Sequence, residues 1–148
     1  MSTTVSGTAA QPPVRQSLSF AGAPGVPTQV GPFAHAVRWG DLLFVTGQMP
    51  TDPVTGTVVE GGVVAQTRQV LANLTAVLAQ AGATLADALM VRVYLTDLHR
   101  DFETVNAEYV RWFTDPLPSR TCVGVTALAV DALVEIDLVV GLPSGGAA

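Results

Sequence analysis

Seven arginines and no lysine supply every permanent side-chain cation of this 148-residue chain. An anionic ligand must therefore be met by an individual guanidinium or by backbone N–H groups. Arg120 is the most constrained of them. It sits at the exit of Pro116-Leu-Pro-Ser-Arg-Thr-Cys-Val123, where prolines fix the chain just before a strand begins. A guanidinium held at a strand end can grip a carboxylate through two parallel hydrogen bonds, a geometry that lysine lacks. The plainer alternative is an arginine paired with a surface carboxylate.

Glu135 lies in the otherwise apolar run Leu133-Val-Glu-Ile-Asp-Leu-Val-Val140. Partial burial there raises a carboxyl pKa and suits it to proton exchange near neutrality, whereas the simpler reading of strand alternation places Glu135 and Asp137 together on a solvated face. Cys122 is two residues past Arg120, so on a strand both side chains share a face. A lone cysteine in an apolar strand is more often packing than nucleophile, and as the single cysteine it excludes an internal disulfide and a cysteine-cluster metal site. His35 and His99 are too isolated to form a metal motif and read as loop residues. Gly47, just after a strand, can expose N–H groups, and phosphate-cradle and dinucleotide motifs are absent.

These residues need elements to position them. Val37–Trp39 and Leu42–Thr46 flank Gly40-Asp41 and read as a hairpin. Val63, Thr67, Val70, Leu71, Leu74, Val77, Leu78 and Ala81 form one helical stripe, stopped by Gly82. Leu89–Leu95 alternates as a strand. Asp101 is the expected N-cap of a second helix with the stripe Phe102, Val105, Tyr109, Trp112 and Phe113, ended by Pro116 and Pro118. Two strands follow, Arg120–Leu128 and Leu133–Val140. This order predicts an α+β fold: one mixed sheet with both helices on one face and the other face needing cover.

Composition sets the limits. The length fits a single domain, here 17–142, between flexible tails at 1–16 and 143–148. Mean hydropathy is +0.42 with 49% hydrophobic residues, yet no apolar run is long enough to span a bilayer. Such an excess predicts surface buried between subunits, hence an obligate oligomer. Net charge of -5 with dispersed arginines argues against a nucleic-acid partner. The N-terminal stretch has neither basic start nor apolar core, so cytoplasmic residence is the default expectation.

Four pieces, in order, resemble the Rid/YjgF family of reactive-intermediate deaminases: Val30-Gly-Pro-Phe-Ala-His35, Phe44-Val-Thr-Gly-Gln-Met-Pro50, Phe102-Glu-Thr-Val-Asn-Ala-Glu-Tyr109, and Pro118-Ser-Arg-Thr-Cys-Val123 with Val134-Glu-Ile-Asp137. The resemblance covers roughly residues 18–141. It implies a chorismate-mutase-like fold, a homotrimer whose sheets form a central barrel, and pockets between neighbouring chains. It further implies hydrolysis of 2-aminoacrylate-type enamines and imines to 2-keto acids and ammonia, with neither metal nor organic cofactor.

Carried over by motif, Arg120 would clamp the substrate carboxylate and Glu135 would orient water and shuttle protons. Gly47, Cys122 and Asn106 would line or support the pocket, together with Phe33 and Thr46. Phe33 and Thr46 depart from the family's common tyrosine and serine, and Ala21–Val30 looks longer than usual, which leaves the substrate preference open. Two other readings stay open: a non-catalytic trimer that binds a small carboxylate, and a biosynthetic enzyme that tautomerises or cyclises an imine.

Overall fold

The computed structural model describes residues 10–143. Six strands form one sheet: β1 (Arg15–Leu18), β2 (Ala36–Trp39), β3 (Leu42–Gln48), β4 (Ala88–Leu95), β5 (Ser119–Gly124) and β6 (Val134–Gly141). Helix α1 (Gly62–Gln80) follows β3, and α2 (Leu98–Tyr109) connects β4 to β5. The spatial order is β1-β2-β3-β6-β4-β5, antiparallel except for the parallel β4–β5 pair that the α2 crossover requires.

The expected mixed sheet with two helices on one face is present. Strict alternation divides its faces. Leu43 and Val45 of β3, Val91, Val93 and Leu95 of β4, and Val134, Ile136, Leu138 and Val140 of β6 are buried beneath the helices. They meet Val70, Leu71, Leu74, Val77 and Leu78 of α1, the stripe legible in the sequence. On the opposite face Trp39, Leu42 and Phe44 are exposed beside half-buried Glu135, Asp137 and Val139. This is the uncovered apolar face that the composition implies.

Several boundaries differ from the sequence reading. Arg15 and Gln16, assigned to the tail, belong to β1, whose backbone pairs with Arg38 and Trp39; a short polar edge strand carries little hydrophobic signal. Of the rest of the two assigned tails, 10–14 and 143 are outside any helix or strand, and 1–9 and 144–148 lie outside the described residues. Asp97, not Asp101, caps α2, its side chain accepting from the Arg100 N–H at 3.1 Å. Asp101 is instead a buried helix residue paired with Arg100 at 2.7 Å, and His99 stands in the helix rather than in a loop. The helix stops at Tyr109, well ahead of the prolines, and gives way to a turn in which the Trp112 and Phe113 N–H groups donate to the Tyr109 carbonyl. Strand β5 ends at Gly124, so Val125–Leu128 is a connecting segment leading to a 3-10 turn at Ala129–Asp131.

Two hydrogen-bond pins from α1 fix the loops that later matter. Buried Asn73 donates to the Met49 and Thr51 carbonyls at 3.0 and 2.8 Å, and Gln66 accepts from the Leu133 N–H at 2.8 Å. Both are polar residues in an apolar stripe, satisfied by backbone partners as burial demands.

Candidate active site

Arg120 and Cys122 lie in register with Val91 and Val93, which places them on the helix-covered face of β5. Arg120 is half-buried. Its Nη1 donates to Asn106 Oδ1 at 2.7 Å, and its guanidinium carbon stands 4.8 Å from the centre of the Tyr109 ring and 5.9 Å from that of Phe102. The two rings and the asparagine, all from α2, fix the plane of the cation while leaving most of its five N–H donors unused. Tyr109 stacks on Phe113 with centroids 4.3 Å apart, and its buried hydroxyl has no partner among the described residues. A cavity of about 300 Å³ opens beside this group, bordered by Asn106, Tyr109, Leu117, Pro118 and Arg120. Cys122 borders a neighbouring hollow with His99 and Phe102 instead; burial raises its thiol pKa, which disfavours the thiolate.

Glu135 faces the other way. It is registered with Tyr94 on the open face of the sheet, and no donor among the described residues reaches its carboxylate. Burial, followed by the nearby charge of Asp137, raises its pKa. Asp137 differs: it accepts from Arg92 Nε at 2.7 Å and from the Tyr94 hydroxyl at 3.1 Å. The two acids share one face, as strand alternation allows, but both are half-buried on it rather than solvated, and only Asp137 is neutralised there.

A bulge explains how Glu135 is held. Between Val45 and Gln48 strand β3 carries one residue more than β6, which displaces Thr46 and Gly47 from regular pairing. Glu135 settles against the bared backbone: a Cβ at Gly47 would stand 2.8 Å from its carboxyl carbon and closer still to one oxygen. Thr46 points inward, its hydroxyl donating to the Ala34 carbonyl at 2.6 Å.

Glu135, Gly47, Thr46 and Phe33 all line a cleft of about 460 Å³. One wall is the segment from Pro27 to Phe33 and the other is Ala127–Ala129. His35 fastens the first wall. Its Nδ1 accepts from the Phe20 N–H at 3.0 Å, so Nε2 carries the proton and donates to the Pro27 carbonyl at 2.8 Å. The second wall ends in strain, since Val130 and Asp131 hold φ of 55° and 54°, a conformation costly for a β-branched residue.

The seven residues singled out from sequence therefore fall into two groups. Phe33, Thr46, Gly47 and Glu135 share the cleft; Arg120 and Asn106 share the smaller cavity, with Cys122 next to it. Tyr109 is in the core, as its place in the helical stripe implies, and its ring is also the platform for Arg120; an aromatic three residues from Asn106 on the same helix face is the signal for that second role. His35 gave no such signal, since its partners are backbone atoms from distant positions. Among the described residues no three His, Cys, Asp or Glu side chains gather as metal ligands, and no helix is long and apolar enough to cross a membrane.

The sheet order, the two helices and the bulge-held glutamate define a YjgF-like α+β fold. Comparison with known proteins agrees. The family model described as Endoribonuclease L-PSP matches residues 25–141. The RutC family protein PH0854 of Pyrococcus horikoshii is 42% identical over 113 residues, covering 76% of this chain and 89% of its own. RidA from the Antarctic bacterium Psychrobacter superposes with a TM-score of 0.77 at 36% identity, covering 80% of this chain and 94% of that one. YyfA of Yersinia pestis, from the conserved Rid protein family, gives 0.80 at 34% identity, covering 87% and 100%. The chain belongs to the Rid/YjgF family.

Proposed function

We propose that this protein hydrolyses 2-imino acids and their enamine tautomers to 2-keto acids and ammonia, in sites assembled between copies of a homotrimer. The observation that carries the reading is the pair of complementary half-sites set back to back: an oriented guanidinium under the helices and an unpartnered carboxylate on the open face. A second copy covering the exposed Trp39–Leu42–Phe44 face would bury that surface, and the reading requires that this packing set the Arg120 of one chain beside the Glu135 of the next.

In such a site Arg120 binds the substrate carboxylate, held in plane by Asn106 and the Tyr109 ring. Phe33, Thr46 and Gly47 border the reacting carbon. Glu135, with its raised pKa, takes a proton from water as the oxygen attacks the iminium carbon and returns it to nitrogen as the C–N bond breaks. One iminium and one water become one keto acid and one ammonium ion. Imines already hydrolyse unaided, so orientation and one proton carrier supply enough acceleration.

RNA cleavage, suggested by the family model's description, has little electrostatic support in this chain. Net charge is -5, and Arg68, Arg92 and Arg100 are already neutralised by Glu108, Asp137 and Asp101. The test is release of keto acid from imines generated in situ by an amino-acid oxidase, comparing wild type with Arg120→Ala. Loss of about a hundredfold or more in kcat/KM is expected on removing a hydrogen-bonded charge clamp. Equal rates in the two proteins overturn the assignment, and binding without turnover in wild type replaces it with a carboxylate-binding role. Identification of the product separates hydrolysis from tautomerisation or cyclisation.

A further inference from the structure

The cleft beside Glu135 carries information about the rest of the substrate. Its volume of about 460 Å³ exceeds what a methyl-bearing imine would occupy. Its apolar lining includes Pro27, Val30, Phe33, Met49 and Leu128, with Val30 59% and Phe33 44% exposed in the single chain. Large hydrophobic side chains left this open around a cavity mark a surface meant to be covered.

Most of the polar side chains that border the same space are already committed, Thr28 and Thr51 being the exceptions. Gln29 Nε2 donates to Ser19 Oγ and the Phe33 carbonyl, Gln48 Nε2 to the Thr46 carbonyl, the Thr46 hydroxyl to Ala34, and His35 Nε2 to Pro27. No cation lines the cleft among the described residues, and its one charged side chain is Glu135. A substrate side chain entering it would therefore find mostly hydrocarbon and a single negative charge. Apolar groups gain from that environment, whereas a second carboxylate would lose its hydration and be repelled.

We propose that the site selects 2-imino acids with an apolar side chain of about three or more carbons, seated against Val30, Phe33 and Leu128, and rejects those carrying a second carboxylate. This assignment of substrate class rests on the hydrolytic reading above. Each methylene placed in such a wall changes kcat/KM by a few-fold, so discrimination accumulates along the side chain.

The experiment compares wild type on imines generated by oxidases from leucine, methionine, alanine and glutamate. In parallel, titration calorimetry measures binding of the stable product acids 4-methyl-2-oxopentanoate, pyruvate and 2-oxoglutarate. The expected result is kcat/KM at least about tenfold higher for the leucine and methionine imines than for the alanine imine, with the glutamate imine lowest. Phe33→Ala should narrow the leucine-to-alanine ratio, and 4-methyl-2-oxopentanoate should bind more tightly than the other two acids. Equal or better turnover of the alanine or glutamate imine overturns the proposal while leaving hydrolysis intact. Absence of turnover with every imine removes the hydrolytic reading, and the affinity order then decides: the branched acid tightest upholds the apolar selection, and any other order ends it.

Discussion

The two half-sites solve opposite problems with the same sheet. Around Arg120 every neighbour restrains the group: Asn106 accepts from it, two rings flank it, and a proline-bounded approach aims it. Around Glu135 the restraint falls on the backbone instead, through a bulge, a glycine and two pinned loops, while the carboxylate itself is left without a donor. A clamp that keeps its charge throughout gains from being satisfied in advance. A proton carrier must be comfortable in two ionisation states, and a strong permanent partner would favour only one of them.

The sharpest way to break this contrast is to separate the halves. Arg120→Ala and Glu135→Gln should each lower turnover by about a hundredfold or more. Unfolded together and refolded as a mixture, the two inactive variants should recover about a quarter of the wild-type activity, because random trimers then pair an intact Arg120 with a neighbour's intact Glu135. No recovery in the mixture would place both residues in one chain's site.

A smaller effect is expected where backbone does the holding. Gly47→Ala puts a Cβ into the Glu135 carboxyl and should reduce kcat by about tenfold, with stability lowered by about 1–3 kcal/mol in chemical denaturation. Asn106→Ala leaves Arg120 charged but freer to turn; KM should rise several-fold, by about 1 kcal/mol of binding, with less change in kcat. Unchanged kinetics in either variant would mean that the restraint lies elsewhere.

Dependence on pH probes the carboxylate half alone. Because burial raises the Glu135 pKa above its ordinary value of 4.5, kcat/KM should fall with decreasing pH along a limb centred above 4.5, and Glu135→Gln should lack that limb. The same shift means that the folded chain binds this proton more readily than the unfolded one, so folding stability is lost as pH rises from the ordinary value through the raised one. Glu135→Gln should therefore melt slightly above wild type at pH 7, with the gap closing below about pH 4. A wild-type advantage at pH 7 would contradict the unpartnered carboxylate.

Much of this was legible before any coordinates, for physical reasons that also mark where legibility ends. The α1 stripe from Val70 to Leu78 repeats at helical spacing, and the alternation in β6 separates Ile136 from Glu135, because period alone records which face a side chain takes. The shared face of Arg120 and Cys122 followed in the same way. That Arg120 and Glu135 occupy opposite faces did not follow, since it depends on the registers Val91–Arg120 and Tyr94–Glu135 across β4, and pairing register leaves no trace within either strand. The bulge at Thr46–Gly47 and the His35 clamp were equally silent, being made of backbone bonds between distant segments. Gly47 could be picked out by type, but the reason for it is the carboxyl group lying on its Cα.

The back-to-back placement also changes how any defect in this protein should be diagnosed. If neither face of one chain holds a complete site, rate per chain becomes a question of mass action, and dilution toward the dissociation constant of the assembly lowers specific activity with no change in chemistry. A substitution at Phe44 or Trp39, remote from every reacting atom, would then look like a catalytic lesion in a dilute assay and vanish in a concentrated one.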